Sequence, residues 1–247
     1  MVSNGFYCAT IGGGGSLDYP HRVGGHYATV IGGVGNTASG WDSTAMGFYT
    51  TASGGSGAIV MGEATAAAAN NTMAAGTRAK ANHPGTFVRA DYQYATFSAT
   101  ANNQFLIRAT GGVGINKNNP ATALDVNGTV TATAFNPPSD RNLKEKFAPV
   151  NPVEVIDKVA ALPICRWNFK GDTATPHVGL MAQDFHAAFG LGTDDKHIAT
   201  VDADGVALAA IQGLNLKLSE ELKRRNTENA ELKARLDKLE QLLENRL

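Results

Sequence analysis

The spacing of apolar positions changes character along the chain. Short apolar runs (Val30-Ile31, Ala45-Met46, Val60-Met61, Ala74-Ala75) each precede one of four glycines, Gly33, Gly47, Gly62 and Gly76, which lie 14, 15 and 14 residues apart. Each glycine is followed five residues later by an alanine: Ala38, Ala52, Ala67 and Ala81. Self-similarity at a fixed period signals a solenoid or array. With small-residue turns such as Thr37-Ala38-Ser39-Gly40 between the runs, one period holds two short strands and two turns, the length of a β-roll coil. Residues 16–27 break the period and read as an insertion loop exposing Tyr19, His21, Arg22 and His26. The glycine pattern is already running by Ile11, as if earlier repeats precede it.

Beyond the repeats, alternation in Thr86-Phe87-Val88-Arg89 and Gln104-Phe105-Leu106-Ile107-Arg108 predicts strands. Trp167 and Phe169 alternate as strand core, and M-A-Q-D-F-H-A-A-F (181–189) has a helical pattern. From about Val206 the pattern becomes heptad, with Ile211, Leu218, Leu232 and Leu239 at d and Leu222, Leu236 and Leu243 at a. Asn215 and Asn229 interrupt the seam at a and Arg225 at d, which costs stability and fixes register and strand number. Glu221, Glu228 and Arg235 at g face Lys233 and Glu240 at e, as interhelical ion pairing requires.

Composition divides the same regions. Residues 1–86 hold 18 of 28 glycines and 6 charges, while residues 139–247 hold 6 glycines and 32 of the 43 charges. The predicted domains are glycine-rich β-roll repeats at 1–86, a β-rich neck at 87–138 ending in Asn136-Pro137-Pro138, and a charged domain at 139–247 with a coiled-coil helix from about 206 to 247. The fold class is a mainly β fibre, a trimeric parallel β-roll and neck, followed by an α+β domain. Trimerisation is expected because coils built from Ala, Gly, Ser and Thr bury too little area alone to offset about 1–2 kcal/mol of ordering entropy per residue.

A net charge of -1 gives no global attraction to nucleic acid. No apolar run approaches the length of a membrane span, and Met1–Thr10 lacks the basic start and apolar middle of a secretory signal. Cys8 and Cys165 read as packed thiols. His177, His186 and His197 show no ligand spacing with Cys165, and Asp125 and Asn127 before Gly128 read as a turn, so neither metal nor cofactor is assigned. The tetraglycine from Gly12 lacks the following Gly-Lys-Ser/Thr of a phosphate loop. Asp18, Asp42 and Glu63, the acids of residues 1–86, form no carboxylate pair at glycosidase spacing.

Two stretches carry resemblances. A-T-V-I-G-G-V-G-N-T-A-S-G followed by S-T-A-M-G-F-Y-T-T-A-S-G, within residues 28–82, resembles the head repeats of trimeric autotransporter adhesins, also found in phage fibres. That likeness implies three chains in a left-handed parallel β-roll. G-G-V-G-I-N-K-N-N-P-A-T-A-L-D-V-N-G-T-V resembles the neck before the terminal domain of phage tail fibres. S-D-R-N-L-K-E-K, C-R-W-N-F-K, V-G-L-M-A-Q-D-F and D-G-V-A-L-A-A-I-Q-G-L-N, in that order, resemble the C-terminal intramolecular chaperone family. Its members include phage endosialidase and tailspike chaperones and the self-cleaving domain of a myelin regulatory factor. The resemblance implies a trimer that cuts itself from its fibre, with Ser139 as nucleophile and Lys144 as dyad base.

By spacing alone, Ser139 five residues before Lys144 is commonplace, and a capping role fits it as well. The implied chemistry needs these two types because a hydroxyl is a poor nucleophile until a base takes its proton. A lysine acts as that base where burial or nearby cations lower its pKa, a field Arg141 and Lys146 are placed to supply. Ring size favours scission at Pro138–Ser139, since Ser139 Oγ closes a five-membered ring on the preceding carbonyl and a strained four-membered one on its own. Attack from a neighbouring chain leaves Ser139–Asp140 open. Backbone N–H groups are the expected oxyanion donors. Asp140 is expected to orient or cap, and Gln183, which matches a family signature, is either catalytic support or a buried amide tying helix to sheet.

The expected function is therefore a homotrimeric fibre tip that binds a cell-surface glycan or protein receptor, on a phage or phage-like particle or a bacterial surface. Its terminal domain aligns three chains, then removes itself; the alternative is a fibre whose terminal domain stays as a permanent trimerisation module. Neither nucleic acid nor membrane insertion belongs to this expectation.

Overall fold

A computed structural model of the chain describes residues 1–2 and 5–244. It divides into two compact units, residues 1–132 and 133–247.

The first unit is a β-solenoid whose strands alternate between two parallel sheets. One sheet takes β1 (Thr10–Ile11), β3 (Thr29–Val34), β5 (Thr44–Phe48), β7 (Ile59–Glu63), β9 (Met73–Thr77), β11 (Phe87–Ala90) and β13 (Phe105–Arg108). The other takes β2 (Arg22–Val23), β4 (Thr37–Ala38), β6 (Thr51–Ala52), β8 (Ala66–Ala67), β10 (Ala79–Ala81) and β12 (Phe97–Ser98). Each strand pairs with the one a full coil later, so the predicted two strands per period form as read. The first sheet runs past residue 86 to β13, which takes coiling beyond the last of the four glycine repeats.

Pleating turns alternate residues inward. The alanines of the repeat, Ala38, Ala52, Ala67 and Ala81, are fully buried and face a column of Val30, Ala45, Val60, Ala74 and Val88. The coil is narrow enough that these methyls and isopropyls fill it. A buried polar ladder ties successive coils: Asn36 Nδ2 donates to the carbonyls of Gly32 (2.8 Å) and Gly47 (2.7 Å), while its Oδ1 accepts from Thr50 N–H (2.9 Å) and Oγ1 (2.8 Å). Gly33, Gly47, Gly62 and Gly76 have φ of 107°, 119°, 118° and 102°, and a side chain on any of them would collide with the carbonyl of the next coil. Glycine is thus required there twice over, by conformation and by contact.

Residues 16–27 are not the free loop expected. Arg22 and Val23 form β2 in register with Thr37 and Ala38, Val23 is fully buried, and His21 is 3% exposed with Nδ1 accepting the Asn36 N–H (3.2 Å). Val23 lies one 15-residue period before Ala38, so the coil continues with valine in the alanine column. His26 is half-buried, stacked on Tyr7 and edge-on to Trp41, while Tyr19 and Arg22 are exposed as expected.

The last coil is fastened by Asp91. Its carboxylate accepts from Arg108 Nε (2.8 Å) and from the backbone N–H (2.8 Å) and hydroxyl (2.7 Å) of Thr110; the Thr110 bonds first, then Arg108, hold its pKa at about 2. A parallel pair, β14 (Val113–Ile115) and β15 (Leu124–Val126), follows. Asp125 there accepts from Lys117 Nζ (2.8 Å) and the Ala121 N–H (2.8 Å).

The second unit holds α1 (Pro152–Ala161), a hairpin of β16 (Cys165–Phe169) and β17 (Asp172–Gly179), α2 (Ala182–Phe189) and α3 (Thr200–Glu244). Asn151 caps α1 by accepting the Val153 (3.1 Å) and Glu154 (3.4 Å) N–H groups, with Pro152 at the first helical position. Gly190, at φ 63°, ends α2. α3 begins at Thr200, ahead of the heptads, and carries Gly213, where a side chain would strike the Pro152 carbonyl of α1. Trp167 stacks on His177 (4.8 Å) and meets Phe169 edge-on (4.9 Å). Phe169 is nevertheless 61% exposed rather than core, because β16 and β17 make a two-stranded hairpin with Phe169 beside its turn, paired with Asp172. Cys8 and Cys165 are both exposed, not packed.

Candidate cleavage site

The segment after Pro138 is exposed and turns tightly. Asp140 Oδ1 accepts the Asn142 N–H (2.9 Å) and side-chain amide (3.0 Å), capping a single 3-10 turn at Arg141–Leu143, which closes with the Lys144 N–H on the Arg141 carbonyl (3.1 Å). Asp140 is thereby a capping residue. A 3-10 turn advances only ~2 Å per residue, so it folds the backbone short and returns residue 144 toward residue 139. Lys144 Nζ donates to Ser139 Oγ at 2.7 Å. This is within the range for proton transfer between a nucleophile and its base.

The neighbouring cations are engaged elsewhere. Arg141 lies over the Phe147 ring (5.8 Å) and Lys146 pairs with Glu145 (3.3 Å), so neither is held against Lys144 as the sequence led us to expect. Phe147, which the sequence analysis did not single out, takes the guanidinium; a lone aromatic six residues after an arginine is too common a spacing to read. Gln183 stands in the first turn of α2 with its side chain exposed, so it does not serve as a buried amide tying helix to sheet. Nor does any contact bring it to Ser139 or Lys144.

Among the described residues there is no group of three or more His, Cys, Asp or Glu side chains placed to hold a metal ion. Among them, too, no helix is long and apolar enough to cross a membrane. His197 Nδ1 meets the Asp194 carboxylate (2.9 Å), and His186 Nδ1 meets the Leu191 carbonyl (2.8 Å). α3 exposes the apolar positions of its seam, including Ile211, Leu218, Leu222, Leu232, Leu236, Leu239 and Leu243.

No solved structure matches this chain. An uncharacterized protein of Dictyostelium discoideum is 33% identical over 96 residues, covering 36% of this chain and 8% of that protein's own length. The family model of the peptidase S74 type, described as chaperone of endosialidase, matches residues 139–190. Its match opens on Ser139, runs through the 3-10 turn, Lys144, α1 and the hairpin, and closes at the end of α2, so the stretch holding the serine and lysine is the one similar to a chaperone of endosialidase.

Proposed function

We propose that this chain is a homotrimeric, receptor-binding fibre tip whose C-terminal domain directs trimerisation and folding and then severs itself near Ser139. The observation that carries the reading is the 2.7 Å approach of Lys144 Nζ to Ser139 Oγ at the first residues of the chaperone-like segment. The solenoid is the fibre part, borne on a phage or phage-like particle or a bacterial surface.

In the proposed reaction neutral Lys144 takes the hydroxyl proton as Ser139 Oγ attacks the Pro138 carbonyl carbon. The C–N bond of Pro138–Ser139 breaks, the proton passes to the departing Ser139 amine, and an ester joins Pro138 to Ser139 Oγ. Water then hydrolyses that ester, leaving a Pro138 carboxylate and a free Ser139. Holding the hydroxyl against one carbonyl supplies on the order of 7–11 kcal/mol of the barrier through effective molarity. Trimer formation is the trigger: packing three copies around the exposed site removes water and completes the oxyanion contacts. Ser139 and Lys144 are exposed within one chain, and that exposure is also what a permanent, non-cleaving trimerisation module would show.

The test is the intact mass of freshly purified wild-type, Ser139→Ala and Lys144→Ala proteins under denaturing conditions. Two fragments meeting at Pro138–Ser139 in the wild type, and one full-length chain in both variants, are expected. A single full-length mass in all three leaves the non-cleaving module, and a cleaved Lys144→Ala protein removes the lysine from the mechanism.

A further inference from the structure

The turns that lead from the first sheet to the second stack into one edge of the solenoid. Successive coils are joined there by Tyr49 N–H to the Val34 carbonyl (3.0 Å), Ala64 to Phe48 (2.8 Å), Arg78 to Glu63 (2.8 Å) and Phe97 to Arg78 (3.2 Å). Tyr49, Ala64 and Arg78 all adopt φ between 52° and 56°, a region side-chain-bearing residues seldom occupy, which aims each of them out of the coil in the same way.

That edge departs from the small-residue composition of the rest of the unit. At one end Tyr19 packs edge-on to Tyr49 (5.2 Å), which packs edge-on to Phe48 (4.4 Å). At the other, the coil lengthens: Ala79 pairs with Phe97 although Gly76 pairs with Ala90, so four extra residues are inserted between Ala90 and Phe97. The insertion is built rather than loose, since Arg108 donates to the carbonyls of Ala95 (2.8 Å) and Gln93 (3.3 Å) while paired with Asp91. It presents Tyr92 and Tyr94, 76% and 58% exposed, edge-to-face at 5.6 Å with hydroxyls 3.2 Å apart, and Arg78 lies over the Tyr94 ring (5.3 Å).

We infer that this edge, from Tyr19 and Tyr49 to Tyr92 and Tyr94, is a binding site for an extended, uncharged glycan lying along the solenoid axis. Fixed aromatic faces suit the C–H face of a pyranose, and tyrosine offers large contact area with a hydroxyl at little entropic cost. Coils recur every ~4.8 Å along the axis, and the coils of Ala64 and Arg78 separate Tyr49 from Tyr92 and Tyr94, so a ligand that touches both aromatic ends must run extended along the edge. Asp18 and Glu63 offset Arg78 and Lys80 on this edge, leaving no net charge to select an anionic polymer. The inference deepens the receptor-binding half of the proposed function and is independent of cleavage.

Saturation-transfer NMR of the Ser139→Ala chain with cellohexaose, laminarihexaose, mannohexaose and chitohexaose tests it, alongside the Tyr92→Ser/Tyr94→Ser double variant. These side chains project into solvent, so the variant is expected to keep the melting temperature and oligomeric state of its parent. Transfer to at least one hexaose, reduced at least tenfold in the variant, supports the site. No transfer to any of the four, or equal transfer in the variant, overturns it and leaves a protein receptor for this edge. Trimer mass and the wild-type cleavage pattern, recorded separately, report on the fibre reading whatever the sugars do.

Discussion

The two units solve burial in opposite ways. In the solenoid, fifteen small apolar residues from Val23 to Ala99 form one closed column inside a single chain. Among the described residues of the second unit the buried apolar ones are Val155, Phe185 and Ala210, and α3 leaves its leucine stripe in solvent. The solenoid carries its register internally, in glycines that touch the next coil and in the Asn36 ladder. The second unit holds its information in surface that a single copy leaves uncovered. In the proposed trimer, alignment between chains falls to the stripe, while register within a chain is set by the coils themselves.

The largest effect expected from breaking this contrast is at the stripe. Leu232→Asp places a charge in the proposed seam and should abolish trimers and cleavage together, read by sedimentation and intact mass, while the solenoid keeps its β circular dichroism. The next is the reverse experiment: Gly62→Val drives a side chain into the Gly76 carbonyl from a φ of 118°. It should cost about 2–4 kcal/mol of solenoid stability in denaturant unfolding and leave α3 helicity untouched. Asn36→Ala, which strands the Gly47 carbonyl and the Thr50 N–H, should cost about 1–3 kcal/mol in the same assay. The smallest effect concerns acid. Asp91 is held at about 2, below its ordinary value near 4, so its contribution is complete above pH ~4 and lost as pH falls toward 2. Asp91→Asn should therefore flatten the acid limb of the melting curve between those values, and an unchanged limb would count against the Arg108–Thr110 clasp.

Much of the solenoid was legible because its constraints fall on residue type: glycine is required where a side chain would strike the next coil's carbonyl, alanine recurs in the facing column, and both repeat visibly. The coil at residues 16–27 escaped notice because Val23 stands in the column that later coils give to alanine, and His21 in the column that the next coils give to Asn36, Thr50 and Thr65. The missing signal was position, since Val23 keeps the period while breaking the composition. The serine and lysine were legible through resemblance alone, as five residues of spacing say nothing about contact until the Asp140-capped turn folds them back. Arg141 and Lys146 turn to Phe147 and Glu145, and Gln183 is exposed rather than buried, because exposed polar side chains choose partners by local geometry, which no periodicity encodes.

The glycine-to-carbonyl contact between neighbouring coils also makes the unit a ruler. A coil can be duplicated or deleted whole, since each presents to the next the same surface it received, but a partial coil would put a side chain where the next carbonyl must lie. Length in such a fibre therefore changes in steps of ~4.8 Å, one coil at a time. Novelty is confined to the turns, where four residues after Ala90 were added without disturbing the strand pairing on either side.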